Sequence, residues 1–282
     1  MARIKASFEL LKASWAVLRA ERQLCWFPLI STVSAVAICL LFILPIAALA
    51  PHATSKQQSG LPVWAYPVVF VMYFLLAFVQ SFFNAALISS ANRHFDGQRP
   101  TFVTGVTDAW RHAGTIAGWA LIAATVGLLL RSAQQRLGFV GRLIVGAIGV
   151  SWNLLTFFVV PVLVFEGVGP ITAVKRSGSL FKARWGEAVM GSTSIGVASM
   201  VVTIPAVALV AGGIVLYSSS AALATSLIVV GALAIIGVVI ATSAMQQIYN
   251  TALYRYATDV PSSGHFAPEL LQQTFRPKGS VG

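Results

Sequence analysis

Long apolar runs dominate the chain, separated by short stretches where charged, amide and turn residues collect. Runs long enough to cross a hydrocarbon core of roughly 30 Å occupy Leu24 to Ala50, Val63 to Ile88, Gly114 to Leu130, Leu143 to Phe165, Ala188 to Leu216 and Leu223 to Tyr249. The pattern predicts six membrane-spanning helices. The first run ends in Ala-Leu-Ala before Pro51, which imitates a signal-peptide cleavage site, but its apolar part is too long for a signal core and it reads as an uncleaved span. Pro45, Pro161 and Pro205 fall inside or near span ends and are expected to bend them.

Three other segments carry a helical period with one apolar stripe. Ile4, Phe8, Leu11, Trp15 and Leu18 recur at steps of four and three, with most charges off the stripe, the pattern of a helix lying in the membrane plane. Phe102, Val106, Ala109 or Trp110 and Ala113 form a second stripe, and Ile171, Val174, Gly178, Phe181 and Trp185 a third. Interfacial helices are therefore expected near residues 3–20, 101–112 and 170–186, each ahead of a pair of spans. This suggests three copies of an interfacial helix plus a transmembrane hairpin. A second echo joins Phe-Asn-Ala-Ala-Leu-Ile-Ser-Ser-Ala at Phe83 to Ala91 with Tyr-Asn-Thr-Ala-Leu-Tyr-Arg-Tyr-Ala at Tyr249 to Ala257. It places Asn84 and Asn250 at equivalent depths, where hydrogen bonds between helices contribute about 1 kcal/mol each. The helical membrane domain is expected over residues 1–258, followed by a cytoplasmic tail over 259–282.

Composition narrows the class. Hydrophobic residues make up 57% of the 282 and charged residues only 10%, against roughly a quarter charged in soluble domains. A water-soluble fold is excluded, and an all-α polytopic membrane bundle is expected. The net charge of +11 falls in loops and ends, where it reads as attraction to anionic lipid headgroups. Nucleic acid is not an expected partner, because no basic block with stacking aromatics stands clear of the spans. An amino terminus on the inside puts fifteen of the nineteen Lys and Arg residues in the cytoplasm and leaves Lys56, Arg131, Arg136 and Arg142 outside. A re-entrant third segment is the competing topology and segregates charge less well. The expected location is a bacterial inner membrane, with both termini cytoplasmic. Arg131 and Arg136 read as anchors whose heads reach the far interface, with an anion or lipid-phosphate site as the functional alternative.

Little in the sequence has the spacing of a reaction centre. No two carboxylates share a span, His52, His94, His112 and His265 are scattered, and Cys25 and Cys39 stand about 21 Å apart along one predicted helix. No catalytic, cofactor or metal residues are assigned. Gln80, Asn84, Asn153, Gln246, Gln247 and Asn250 are neutral amides suited to helix association or a weakly polar cavity. Glu166 is read as the only acid near the end of any span. It precedes Gly169 and Pro170, which restart the chain as a helix, and Lys175 or Arg176 can pair with it. The expected contact surface for lipid or a partner comprises Trp15, Trp110, Lys175, Arg176, Lys182, Arg184 and Trp185. The expected polar site comprises Glu166, Asn84 and Asn250.

The segments from Phe8 to Leu18, Gly118 to Arg131, Phe157 to Glu187, Ala252 to Ala257 and Phe266 to Lys278 together resemble a family of uncharacterised bacterial six-span integral membrane proteins, a domain of unknown function. The resemblance implies the membrane class and no reaction, substrate or site. Glu166, Gly167, Arg176, Ser177 and Leu180 also look distantly like the membrane domain of glycerophosphodiester phosphodiesterases. The functional expectation is a non-enzymatic membrane protein that engages anionic lipid, a membrane partner or a second copy of itself. A small-solute transporter or channel is the alternative, and a membrane-embedded lipid-modifying enzyme stands third.

Overall fold

The computed structural model describes residues 12–49, 65–183, 185–258 and 260. Regular structure among them is entirely helical. After α1 (12–20), a 3-10 turn at Arg22–Cys25 leads into α2 (Trp26–Leu49), and the chain continues through α3 (Ala65–Phe95), α4 (Phe102–Arg111), α5 (Ala113–Arg136), α6 (Phe139–Leu155), α7 (Val159–Glu166), α8 (Pro170–Ala183), α9 (Trp185–Val215) and α10 (Ala221–Ala257). Among the described residues, six stretches are long and apolar enough to cross a membrane: Arg22–Pro45, Tyr66–Phe95, Ala113–Arg136, Phe139–Glu166, Ser192–Val215 and Ala221–Ala257. They carry exposed faces of Leu40, Leu41 and Leu44 on α2, Met200, Val201 and Ile204 on α9, and Val229, Val230 and Leu233 on α10. Such faces require lipid rather than water around them.

Packing divides the helices into two compact units. One comprises residues up to Pro28, Ser90–Phe102 and the chain from Arg184 onward; the other comprises Leu29–Ser89 and Val103–Ala183. In the first, α9 and α10 form a tight hairpin through a reciprocal small-residue seam. A Cβ on Gly213 of α9 would lie 2.8 Å from the Ala224 carbonyl oxygen of α10, and a Cβ on Gly231 of α10 would lie 2.8 Å from the Ala206 carbonyl oxygen of α9. Ala206 and Ala224 are themselves buried. Without a hydrophobic drive between helices in lipid, this backbone approach is what holds such a pair.

The second unit contains an interrupted span. The sequence predicts one helix from Leu143 to Phe165, but α6 stops at Leu155 and α7 begins at Val159. Pro161 accounts for the break: it has no N–H for the carbonyl four residues earlier, and its ring crowds that carbonyl. The amide of Phe158, buried in the break, donates to the Ser177 Oγ of α8 at 2.9 Å. A freed backbone group at membrane depth needs such a partner, so α8 is held against the broken helix. Prolines 45 and 205 act differently, since α2 and α9 run through them.

Two helices also run further than the apolar runs suggest. The second span ends at Phe95 rather than Ile88, and the sixth at Ala257 rather than Tyr249. The added turns carry polar residues, of which Ser89, Asn92 and Arg255 find partners inside the protein. Asp96 therefore directly follows a span, which corrects the expectation that Glu166 is the only acid so placed.

Candidate functional site

Glu166 closes α7. Gly167 follows with φ +62°, the left-handed conformation that ends a helix and that side-chain-bearing residues rarely adopt. Pro170 then opens α8, where its missing N–H is no loss. Across this corner the Arg176 Nε donates to the Glu166 Oε1 at 2.9 Å, with the two side chains 47% and 27% exposed. Of the two bases the sequence offered, Arg176 makes the pair. Lys175 and Lys182 stand exposed on the same helix, with no ion pair among the described residues. Arg184 lies outside the described residues, and so does the side chain of Trp185.

The buried stripe of α8 is not the apolar one that the sequence predicts. Ala173, Ser177 and Leu180 are buried, whereas Ile171 is 66% exposed. Close approach explains the offset. A Cβ on Gly118 of α5 would lie 2.9 Å from the Pro170 ring, and one on Gly178 would lie 2.6 Å from a Leu155 methyl, so the contact face selects small residues over large ones. Phe181 still packs, edge toward Phe157 at 6.1 Å between ring centroids. In α4 likewise Gly105 and Ala109 are buried, while Trp110 is 69% exposed and rests edge-on against Phe82 at 6.1 Å. Asp108 of α4 accepts from the Ser89 Oγ at 2.8 Å.

Trp15 belongs to the other unit. Its half-exposed ring forms the rim of an apolar groove of about 470 Å³, walled by Ile195, Val202, Gly237, Ala241 and Met245 of α9 and α10. Of the stripe predicted for the first interfacial helix, Ile4, Phe8 and Leu11 fall outside the described residues, and Leu18 is buried.

Asn84 and Asn250 sit in matching arrangements, one in each unit. Gln80 Nε2 donates to the Asn84 Oδ1 at 3.4 Å, and Gln80 Oε1 accepts from the Ser31 Oγ of α2 at 3.3 Å. Gln246 Nε2 lies 3.0 Å from the Asn250 Oδ1 and 2.9 Å from the Ser192 Oγ of α9. Each is a Ser–Gln–Asn chain that links two helices, α2 to α3 and α9 to α10. The expectation that the asparagines bond between helices is corrected: the glutamines do so, and the asparagines bond within their own helix. The longer glutamine side chain has the reach. The sequence echo extends back to those glutamines, a signal available from the start.

A family model matches residues 63–265, more than half of the chain. The chain belongs to DUF6159. That family is described as one of unknown function, and the DUF6159 match covers α3 through α10, leaving α1 and α2 ahead of it. No curated protein matches the chain.

Within the DUF6159 segment lies a polar cluster that the sequence reading missed. Arg255, near the end of α10, is only 5% exposed, and its Nη1 donates to the Asn92 Oδ1 at 2.6 Å and the Asp96 Oδ1 at 2.8 Å. Counted from the sequence as one more topology-setting base, Arg255 instead ties the end of α10 to the end of α3. Nearby on the chain, His94 Nδ1 is 3.5 Å from the Glu21 Oε1. Asn92 and Asp96, one helical turn apart at the end of a membrane helix, were the available signal.

Proposed function

We propose that this DUF6159 protein is a non-enzymatic, multi-pass protein of a bacterial inner membrane, with cytoplasmic termini, that engages anionic lipid headgroups through its basic, tryptophan-bearing helices. The observation that carries this reading is the charge state of α8. Among the described residues, Glu166 at the end of α7 is engaged by Arg176, while Lys175 and Lys182 stand exposed on α8, whose own sequence carries no acid. Each such base near an anionic surface contributes about 1 kcal/mol of attraction. Exposed Trp110 and Ile171 supply the apolar contact that an interfacial helix needs. Gln80, Asn84, Gln246 and Asn250, four of the six neutral amides that a solute path would use, are engaged with one another and with serines, which favours a role in helix association.

The test is lipid selectivity in proteoliposomes. Spin-labelled phosphatidylglycerol is expected to associate with the full-length protein more than spin-labelled phosphatidylcholine does, and the preference should shrink as salt rises. Replacing Lys175, Arg176, Lys182 and Arg184 with Gln together should remove most of it. A preference that survives this replacement and high salt alike would refute the reading, and reporter fusions placing either terminus outside would refute the orientation.

A further inference from the structure

The arginines that disturb the charge segregation, in the connection from Arg131 to Arg142, are gathered by the structure around one cavity. It measures about 650 Å³ and is lined by Tyr73 of α3, Arg131, Gln134 and Gln135 of α5, and Arg142 of α6. The Arg131 Nη1 donates to the Tyr73 hydroxyl at 2.8 Å, which fixes the guanidinium at the cavity wall. Arg142, in the first turn of α6, is oriented by donation from its Nε to the Leu137 carbonyl at 3.3 Å. Among the described residues neither arginine has a carboxylate partner, and no Asp or Glu occurs between residues 113 and 165. Two guanidiniums and two amides thus face one space, with no carboxylate in its lining among the described residues.

Depth supports a specific ligand chemistry. Gly118, close to the start of α5, abuts Pro170 beside the Glu166 corner. Helix α5 then runs on without a break to Arg136, and Arg131 lies about 27 Å beyond Ala113 at 1.5 Å per residue. That distance is close to the hydrocarbon thickness. The cavity therefore opens at the headgroup level of the face opposite the Glu166 corner, where phosphate is the abundant anion. Planar guanidinium forks match phosphate oxygens in pairs, and glutamine N–H groups can complete the shell.

We propose that this cavity binds a phosphate group, carried either by a lipid headgroup or by a free phosphate anion. Arg131 and Arg142 are the primary contacts, Tyr73 positions Arg131, and Gln134 and Gln135 supply neutral donors. Arg136 belongs to the same helix end but not to the cavity lining. The site is independent of the lipid engagement proposed for α8, since it uses different residues at the other end of the same unit.

The experiment is calorimetric titration of the full-length protein in non-ionic detergent with dioctanoyl phosphatidylglycerol, with dioctanoylglycerol as the phosphate-free control and inorganic phosphate as competitor. Saturable binding of the phospholipid, and none of the control, is expected. Arg131→Gln with Arg142→Gln should weaken it at least about tenfold, the scale of losing charge-assisted hydrogen bonds. Arg136→Gln should leave it within about twofold, because a guanidinium outside the cavity adds only screened attraction. Tyr73→Phe keeps charge and packing and should weaken binding by a few-fold, which guards against a double variant that merely misfolds. Competition by inorganic phosphate would assign the site to the free anion, and binding without competition to the lipid headgroup. Equal losses in Arg136→Gln and the double variant, unchanged binding in the double variant, or equal binding of the phosphate-free control would overturn the proposal.

Discussion

The Arg255 guanidinium, buried at the end of α10, lies 2.8 Å from a carboxylate oxygen of Asp96, at the end of α3, across 159 residues of sequence. The two partners are unequal, because the Arg255 side chain is 6% exposed and that of Asp96 41%. Removing one partner of a buried pair is strongly destabilising when the charge left behind is shielded from water, and less so when that charge can be hydrated. We expect Asp96→Ala to destabilise the protein by about 3 kcal/mol and Arg255→Met by clearly less, since the freed aspartate can be hydrated. Thermal unfolding of the two variants in the same detergent gives the order. An inverted order would show that Asp96 is not the partner on which the burial of Arg255 depends.

Ser177 makes a single buried bond that the interrupted fourth span depends on. Ser177→Ala removes the acceptor that the buried Phe158 amide uses on α8 and should cost about 1–3 kcal/mol. Ser179, two residues on, bonds only the exposed Arg176 carbonyl at 2.7 Å, so Ser179→Ala should be close to neutral. Comparing their denaturation midpoints separates the role of Ser177 from a general effect of removing hydroxyls from α8.

The glycine seam of the α9–α10 hairpin predicts a steric effect. An alanine at position 231 would meet backbone, the Ala206 oxygen at 2.8 Å and the Val210 nitrogen at 3.1 Å, and the neighbouring helix cannot yield as a flexible side chain can. Gly231→Ala should destabilise by about 1–3 kcal/mol. Gly237→Ala, where a Cβ meets nothing within 4 Å, should be tolerated. Equal melting temperatures for the two variants would count against close backbone approach as the source of hairpin stability.

Glu166 restrains Arg176, and the pair is open to solvent. Glu166→Gln should therefore change stability by less than about 1 kcal/mol. On the lipid reading it removes a negative charge beside Arg176, so selectivity for spin-labelled phosphatidylglycerol should rise by up to about fivefold, the equivalent of one base at an anionic surface. A fall in selectivity would mean that the pair itself, rather than free positive charge, shapes the contact.

The six spans were legible because lipid imposes long uninterrupted apolar runs, and nothing else in a sequence imitates them. Their ends were less so. The second apolar run stops at Ile88, yet Ser89, Asn92 and Arg93 continue α3, since Asp108 and Arg255 bond the Ser89 and Asn92 side chains that hydropathy treats as exposed. The Glu166–Arg176 pair could be read from a short local spacing across a glycine and proline corner. By contrast, the buried face of α8 is set by how closely Gly118, Leu155 and the Phe158 amide approach it, and an apolar period cannot report closeness. The cavity at Arg131 needed Tyr73, 58 residues earlier, a distance that no local pattern bridges.

The bond from Phe158 to Ser177 also orders events during biosynthesis. Ribosomes deliver the fourth span before α8, so its break enters the bilayer before the Ser177 acceptor of the Phe158 amide has been made. Until residue 177 has emerged, that crossing is incomplete, and a nascent protein arrested shortly before this point should be held less firmly by the membrane, and cleared faster by quality-control proteases, than one arrested just past it.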